Sequence, residues 1–222
     1  MTLLDQLLAK LAPHECLGCG AESALLCSEC ADRLVQVSAR CYRCHVLVPE
    51  AVTCAACRQR SRLHSLQAVC LYQDTAKALV WKLKLAGAQA ATGQMAERML
   101  PHLPRPTADT VIVPVPTATS RIRRRGYDQA ELLARELARQ SHVRQAVCLT
   151  RITQSQQHGA HREQRLRQLA EAFRVTNPHL VPGRHIILVD DVVTTGATLE
   201  AAASMLHAAG ARQIDAIVFA QA

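Results

Sequence analysis

The feature that most constrains the fold is a seventeen-residue run near the C-terminal end, IILVDDVVTTGATLEAA, beginning at Ile186. A β-branched apolar stretch, His185 to Val189, reads as a buried strand. Two acids, Asp190 and Asp191, follow at its carboxyl end, where parallel sheets present their ligand sites. Adjacent carboxylates repel each other unless cations or hydroxyl donors accept their charge, and a ribose diol supplies such donors. Thr194, Thr195, Gly196, Ala197 and Thr198 then offer hydroxyls and free amides at the positive end of a helix expected over 198–209, a cradle for phosphate. Gly196 allows close backbone approach. Plain helix capping would use one acid and one threonine, not this whole set.

The first sixty residues follow a different rule. Cys16/Cys19, Cys27/Cys30, Cys41/Cys44 and Cys54/Cys57 form four successive C-x-x-C units. Two thiolates at that spacing grip one tetrahedral ion from a tight turn, and two such turns complete a four-thiolate site. Eight ligands therefore make two structural zinc sites. A redox reading needs one such pair in a βαβ setting, which is absent. Sequential pairing (16–30 on one ion, 41–57 on the other) closes the shorter loops and is preferred, with crossed pairing still open. Cys70 and Cys148 lie in apolar segments and are expected to be core thiols.

At 222 residues the chain can bury one full core plus a small appendage. No run approaches the ~20 apolar residues of a membrane span. The leucine-rich start is interrupted by Asp5 and Lys10 and has no cleavage site after it, so a cytoplasmic protein without membrane insertion is expected. The net charge of +8 is concentrated beyond residue 62, where nineteen Lys/Arg face twelve Asp/Glu, against seven and six before it. Composition shifts near residue 60, with 58–62 (RQRSR) read as a hinge, giving a zinc-ribbon domain over 1–60 and an α/β domain over 63–222. In the latter, strands are expected at 66–72, 111–115, 146–149, 173–175, 185–189 and 214–220, and helices at 75–85, 94–103, 129–140 and 198–209. Such alternation implies a mainly parallel sheet with right-handed crossovers.

The acid-and-threonine run resembles the ribose-phosphate motif of type I phosphoribosyltransferases. Other segments narrow the likeness. VPVPTATSRIRRRGYDQAELLA (113–134) is similar to the signature of the ComF family, the competence-protein and GntX-like group, with Arg121 and Arg125-Gly126-Tyr127-Asp128-Gln129 at the family's R and R-G-F-N-Q positions. YQDTAKALVWKLKLAG (72–87) matches through Lys84 and Gly87, and QHGAHREQRLRQLAEAF (157–173) through Gln157, Arg165, Arg167 and Phe173. The family also carries an N-terminal double zinc ribbon. The sequence departs from the pattern at Asp128 (usually Asn), Ala160 (Leu) and Gln168 (Asn).

The resemblance implies an α/β type I phosphoribosyltransferase fold, a mainly parallel sheet flanked by helices, preceded by a small double zinc-ribbon domain. It implies a site for 5-phosphoribosyl 1-pyrophosphate (PRPP) with Mg2+, made by Asp190, Asp191, Val192, Val193, Thr194, Thr195, Gly196, Ala197, Thr198, Pro116 and Thr117. Asp190, Asp191, Arg121 and Arg125 would take the catalytic roles, since arginine forks suit phosphate oxygens. The basic run 121–125 has two other readings, a solvated turn and a nucleic-acid contact. Residues 154–167 resemble a closing lid, with His158 and His161 solvated, and the acceptor would sit under a hood built from 63–87. The family points to natural transformation: handling of single-stranded DNA, with DNA-uptake partners such as a helicase. Three readings follow: a phosphoribosyltransferase of unknown acceptor, a PRPP sensor without turnover, and a DNA-handling protein. An aromatic content of 3% offers few stacking platforms, which weighs against a dedicated single-strand binder.

Overall fold

A computed structural model describes residues 14–85, 88–152 and 172–222. The lid segment expected at 154–167 lies outside the described residues.

Five parallel strands form the central sheet. They are β3 (Ser65–Leu71), β4 (Thr110–Pro114), β5 (Arg144–Gln145), β8 (His185–Val193) and β9 (Gln213–Gln221), in the order β3-β9-β8-β4-β5. Two short pairs lie apart from it, β1 (His14–Glu15) with β2 (Glu22–Ser23), and β6 (Leu149–Arg151) with β7 (Phe173–Val175). The sheet's alternating side chains feed two cores, as strands buried on both faces require. On one face Val69, Ile112, Ile187 and Phe219 pack against α3 (Asp74–Lys84), α4 (Ala88–Met99) and α6 (Gln129–Ser141), through Leu79, Leu83, Met95, Leu133 and Leu137. On the other, Val113, Ile186, Leu188 and Val218 meet Leu199, Ala203 and Leu206 of α7 (Ala197–Ala208). Cys70 and Cys148 are fully buried, and burial pushes their thiols up to about 12 and about 11.

Several sequence expectations need correction. The apolar run 146–149 is not one strand: the chain pairs with β4 at 144–145, then with β7 at 149–151, and between them Cys148 sinks into the core. α4 starts at Ala88, six residues before the expected helix at 94, because its first turn is built from small residues that give no apolar period. The basic run 121–125 is not a turn but the end of a short helix, α5 (Thr119–Arg125), closed by Gly126 at φ 84°. The strand expected at 66–72 is present as Ser65–Leu71 at the sheet's edge, so that part of 63–87 belongs to the sheet and not to a hood above it.

That edge would present unpaired backbone groups, an aggregation liability. The cysteine-rich segment, with its short helices α1 (Ser28–Asp32) and α2 (Ala55–Arg58), covers it. Antiparallel bridges join Val52 to Ser65 and Gln36 to Cys70. Leu71 N donates to Val35 O at 2.8 Å, and Thr53 N to His64 O at 2.8 Å. Among the described residues no helix is long and apolar enough to cross a membrane.

Candidate functional site

β8 runs four residues past its apolar stretch, in register with β9 through Asp190↔Val218 and Val193↔Gln221, so both acids belong to the strand. Neighbouring strand residues project to opposite faces, and the two carboxyls meet different surroundings. Asp191 is buried, and Lys84 at the end of α3 places Nζ 3.0 Å from its Oδ2. That is an ion pair rather than an aligned hydrogen bond, and no other described group bonds this oxygen. Asp190 accepts the Asp191 amide at 2.8 Å. Burial first, then the Asp191 carboxylate, raises its pKa well above the ordinary range, with Asp128 adding to the effect. A carboxyl held this way gains from a hydroxyl donor or cation brought by a ligand.

The loop beyond the acids is an open shelf. Thr194 and Thr195 are exposed, and Gly196 turns the chain at φ 74° to become the N-cap of α7. A Cβ at Gly196 would lie 2.8 Å from the Tyr42 ring, so both the backbone angle and the space require glycine here. Helix α7 thus points its positive end toward Thr194–Thr198, as the sequence implied.

The second segment starts where β4 ends. Val115 N still bonds Val189 O, which holds 115–117 beside β8. Asp128 then ties this segment down: its carboxylate accepts from Thr117 N (2.8 Å), Thr117 Oγ1 (3.0 Å) and Ala130 N (3.0 Å), capping α6 at the same time. Both of its oxygens are used, which gives the departure from asparagine a physical role. Of the arginines, Arg125 is bound to Gln129 Oε1 at 2.8 Å, while Arg121 is exposed. Arg151, which no sequence motif marks, comes close enough to both Arg121 and Asp190 to feel their charges. Burial and then Arg121 lower its pKa, and Asp190 opposes them. Its guanidinium lies 5.6 Å from the Phe173 ring centre. A cleft of about 380 Å³ lies between this segment and β6, bounded by Pro116, Thr117, Ile122, Tyr127 and Arg151.

The cysteines assemble sequentially, Cys16, Cys19, Cys27 and Cys30 in one cluster and Cys41, Cys44, Cys54 and Cys57 in the other, all thiols of each within 4.8 Å. A tetrahedral zinc–tetrathiolate centre with bonds of about 2.3 Å has sulfurs about 3.8 Å apart. Cys19 and Cys27 are 3.8 Å apart and Cys44 and Cys54 3.6 Å, so the donor sets fit zinc. Each cluster also prepares one thiolate. Burial opposes it, but the amides of Cys27, Cys19 and Gly18 bring Cys16 down to about 6, and those of Cys54, Cys44 and Arg43 do the same for Cys41. The first knuckle is packed tightly: a Cβ on Gly18 would meet Cys30 Sγ at 2.7 Å and Thr75 Oγ1 at 3.0 Å.

The stretch read as a hinge is fixed to α7. Ser61 Oγ donates to Glu200 at 2.8 Å and Arg62 N at 2.6 Å. Lys84, Asp128, Arg151 and Tyr42 reach the site from other parts of the chain, while Glu200 lies in the same run as the acids. Of the four, only Lys84 and Asp128 carried a sequence signal, as members of the matched segments.

Comparison with known proteins gives the family. Residues 107–222 match the model of the phosphoribosyl transferase domain. The DNA utilization protein YhgH of Escherichia coli O6:H1 is 32% identical over 200 residues, covering 85% of this chain and 87% of that protein. The competence protein ComFC of Bacillus subtilis is 40% identical over 101 residues, 46% of this chain and 40% of its own. Competence protein F of Haemophilus influenzae is 36% identical over 107 residues, 46% of each chain. The chain belongs to the phosphoribosyl transferase domain family, as a member of its ComF group.

Proposed function

We propose that the chain binds PRPP on the shelf of Asp190, Asp191 and 194–198, and serves in the uptake and handling of DNA in the cytoplasm. The observation that carries the reading is Gly196, a positive-φ helix cap preceded by two exposed threonines, two residues beyond a pair of acids. In this reading Asp190 and Asp191 hold the ribose hydroxyls, with Val192 and Val193 carrying the chain to the loop. The hydroxyls and amides of Thr194, Thr195, Ala197 and Thr198 take the 5′-phosphate. Pro116 and Thr117 border the pyrophosphate at the edge of the cleft, and Arg121, Arg125 and Arg151 supply positive charge. The names of the relatives, DNA utilization and competence proteins, support the role in DNA. We assign residues 1–60 to a double zinc ribbon and 63–222 to the phosphoribosyltransferase-like domain.

Transfer would break the bond between the anomeric carbon and pyrophosphate as a nitrogen nucleophile forms its own bond to that carbon. Positive charge develops on the sugar and negative charge on the leaving group. Asp190 and Asp191 support the first, and the arginines the second. Mg2+, a hard cation taking oxygen ligands, suits a carboxylate such as Asp190, and would spread the leaving group's charge.

A second reading, PRPP sensing without turnover, has one observation in its favour. Around the shelf the described carboxylates are already engaged, Asp128 by three donors and Asp191 by Lys84, so no separate base for a nucleophile stands out. Measuring pyrophosphate release from PRPP and Mg2+ across bases, nucleosides and amines separates the two. Release with an acceptor establishes the enzyme; saturable PRPP binding without release establishes the sensor; neither result overturns both. A steep salt dependence of oligonucleotide binding, lost on Arg123→Ala/Arg124→Ala, would mark direct DNA contact.

A further inference from the structure

Glu200 lies in the first turn of α7, and the cysteine-rich segment takes up its carboxylate from behind. The Tyr42 hydroxyl donates to Oε2 in a very short contact. Ser61 Oγ donates to the same oxygen at 2.8 Å, Arg62 N to Oε1 at 2.6 Å, and Arg43 Nη1 lies 4.0 Å from Oε2. The Tyr42 ring meanwhile packs on Gly196 so closely that a Cβ there would come within 2.8 and 2.9 Å of two ring carbons. Tyr42 itself lies between Cys41 and Cys44, two members of the second thiol cluster. One side chain of the metal knuckle therefore touches both the turn of the shelf and the acid next to it.

A carboxylate one turn inside a helix N-terminus competes with any anion for the same positive end. Left free, Glu200 would repel a phosphate on the shelf. Three donors and a nearby guanidinium, all from the cysteine-rich segment and the stretch after it, hold it in place. We infer that Tyr42 is a positioning residue for the phosphate loop: its ring fixes Gly196, and its hydroxyl holds the Glu200 charge off the shelf. The second thiol cluster is then the rear wall of the anion site as well as part of the cover for the sheet edge. The inference rests on the PRPP reading for its ligand, but its mechanical half stands without it.

The test uses the full-length, zinc-loaded protein. Amide hydrogen exchange over residues 194–200 is measured without ligand for the wild type, Tyr42→Phe, Tyr42→Ala and Glu200→Gln, and each is titrated with PRPP and Mg2+. Tyr42→Ala should speed exchange in this loop with zinc content unchanged. Tyr42→Phe, which keeps the ring, should weaken PRPP binding by about tenfold, the factor for one lost hydrogen bond to a charged group. Adding Glu200→Gln to Tyr42→Phe should restore most of that loss, since the repelling charge is gone; a merely structural tyrosine would show no such rescue. Exchange at wild-type rates in Tyr42→Ala, or wild-type affinity in Tyr42→Phe, would overturn the inference. If Tyr42→Ala loses zinc or fails to fold, Tyr42→Phe and its rescue decide the matter. If the wild type binds no PRPP, the functional reading falls, and exchange alone still decides whether the ring fixes the loop.

Discussion

Lys84 Nζ sits 3.0 Å from Asp191 Oδ2, joining the last turn of α3 to the acid pair at the end of β8 across 107 residues of chain. The Asp191 side chain is only 9% exposed, so the lysine is what makes a charge tolerable there. The same end of α3 is fastened again by Tyr127, whose hydroxyl lies 2.7 Å from Leu83 O and 2.8 Å from Leu85 O. The basic segment and the acid pair thus share one support.

Removing the lysine leaves that carboxylate without its partner. Lys84→Met should destabilise the protein by about 1–3 kcal/mol, less than for a fully buried pair because the lysine is partly exposed. Asp191→Asn in the same chain should recover most of the loss, giving a clear coupling energy in a double-mutant cycle. Urea unfolding of the four proteins measures it.

Zinc stoichiometry checks the sequential clusters. Cys16→Ser/Cys30→Ser should still bind one zinc per chain, because both changes fall in one site. Crossed pairing would put them in different sites and lose both ions. Metal analysis after gel filtration reads the difference.

Asp128 bonds Thr117 and caps α6 with the same carboxylate. Asp128→Ala should cost about 1–2 kcal/mol from the cap alone and free Thr117, with Val115 still tied to Val189. Asp128→Asn, which keeps one acceptor oxygen, should cost less. Thermal unfolding gives the order.

At the opposite end of the sheet, buried Asp215 accepts from Ser65, pairs with His185 at 2.7 Å and His64 at 3.0 Å, and bonds Gln213 at 2.7 Å. Burial opposes ionisation there, but these partners outweigh it and bring the carboxyl down to about 2. Its folded pKa lies below its unfolded value, so the stabilisation is complete above about pH 4 and lost as pH falls toward 2. The contribution is on the order of 2 kcal/mol. Asp215→Asn should flatten the acid limb of a stability–pH curve followed by urea unfolding.

The sequence made the shelf legible because its parts are contiguous: strand, acids, small turn and helix follow one another from His185 to Ala208. The cysteine clusters were legible for the same reason, since spacing within each turn encodes the bite. What escaped it depends on the fold. Tyr42 and Glu200 are 158 positions apart, and no local period marks either as a partner. Arg151 opens a polar run and gains meaning only when β6 brings it near Asp190. The edge strand was legible at 66–72, but nothing in it says that the cysteine-rich segment will cover it.

The central claim is that the Asp190–Thr198 shelf binds PRPP. Calorimetric titration with PRPP and Mg2+ of the wild type and Asp190→Asn/Asp191→Asn, at matched zinc content and thermal stability, tests it most directly. Saturable binding is expected for the wild type and at least a tenfold loss for the variant, roughly the scale of a lost charged hydrogen bond. Equal affinity in the two proteins, or no binding by the wild type, would contradict it.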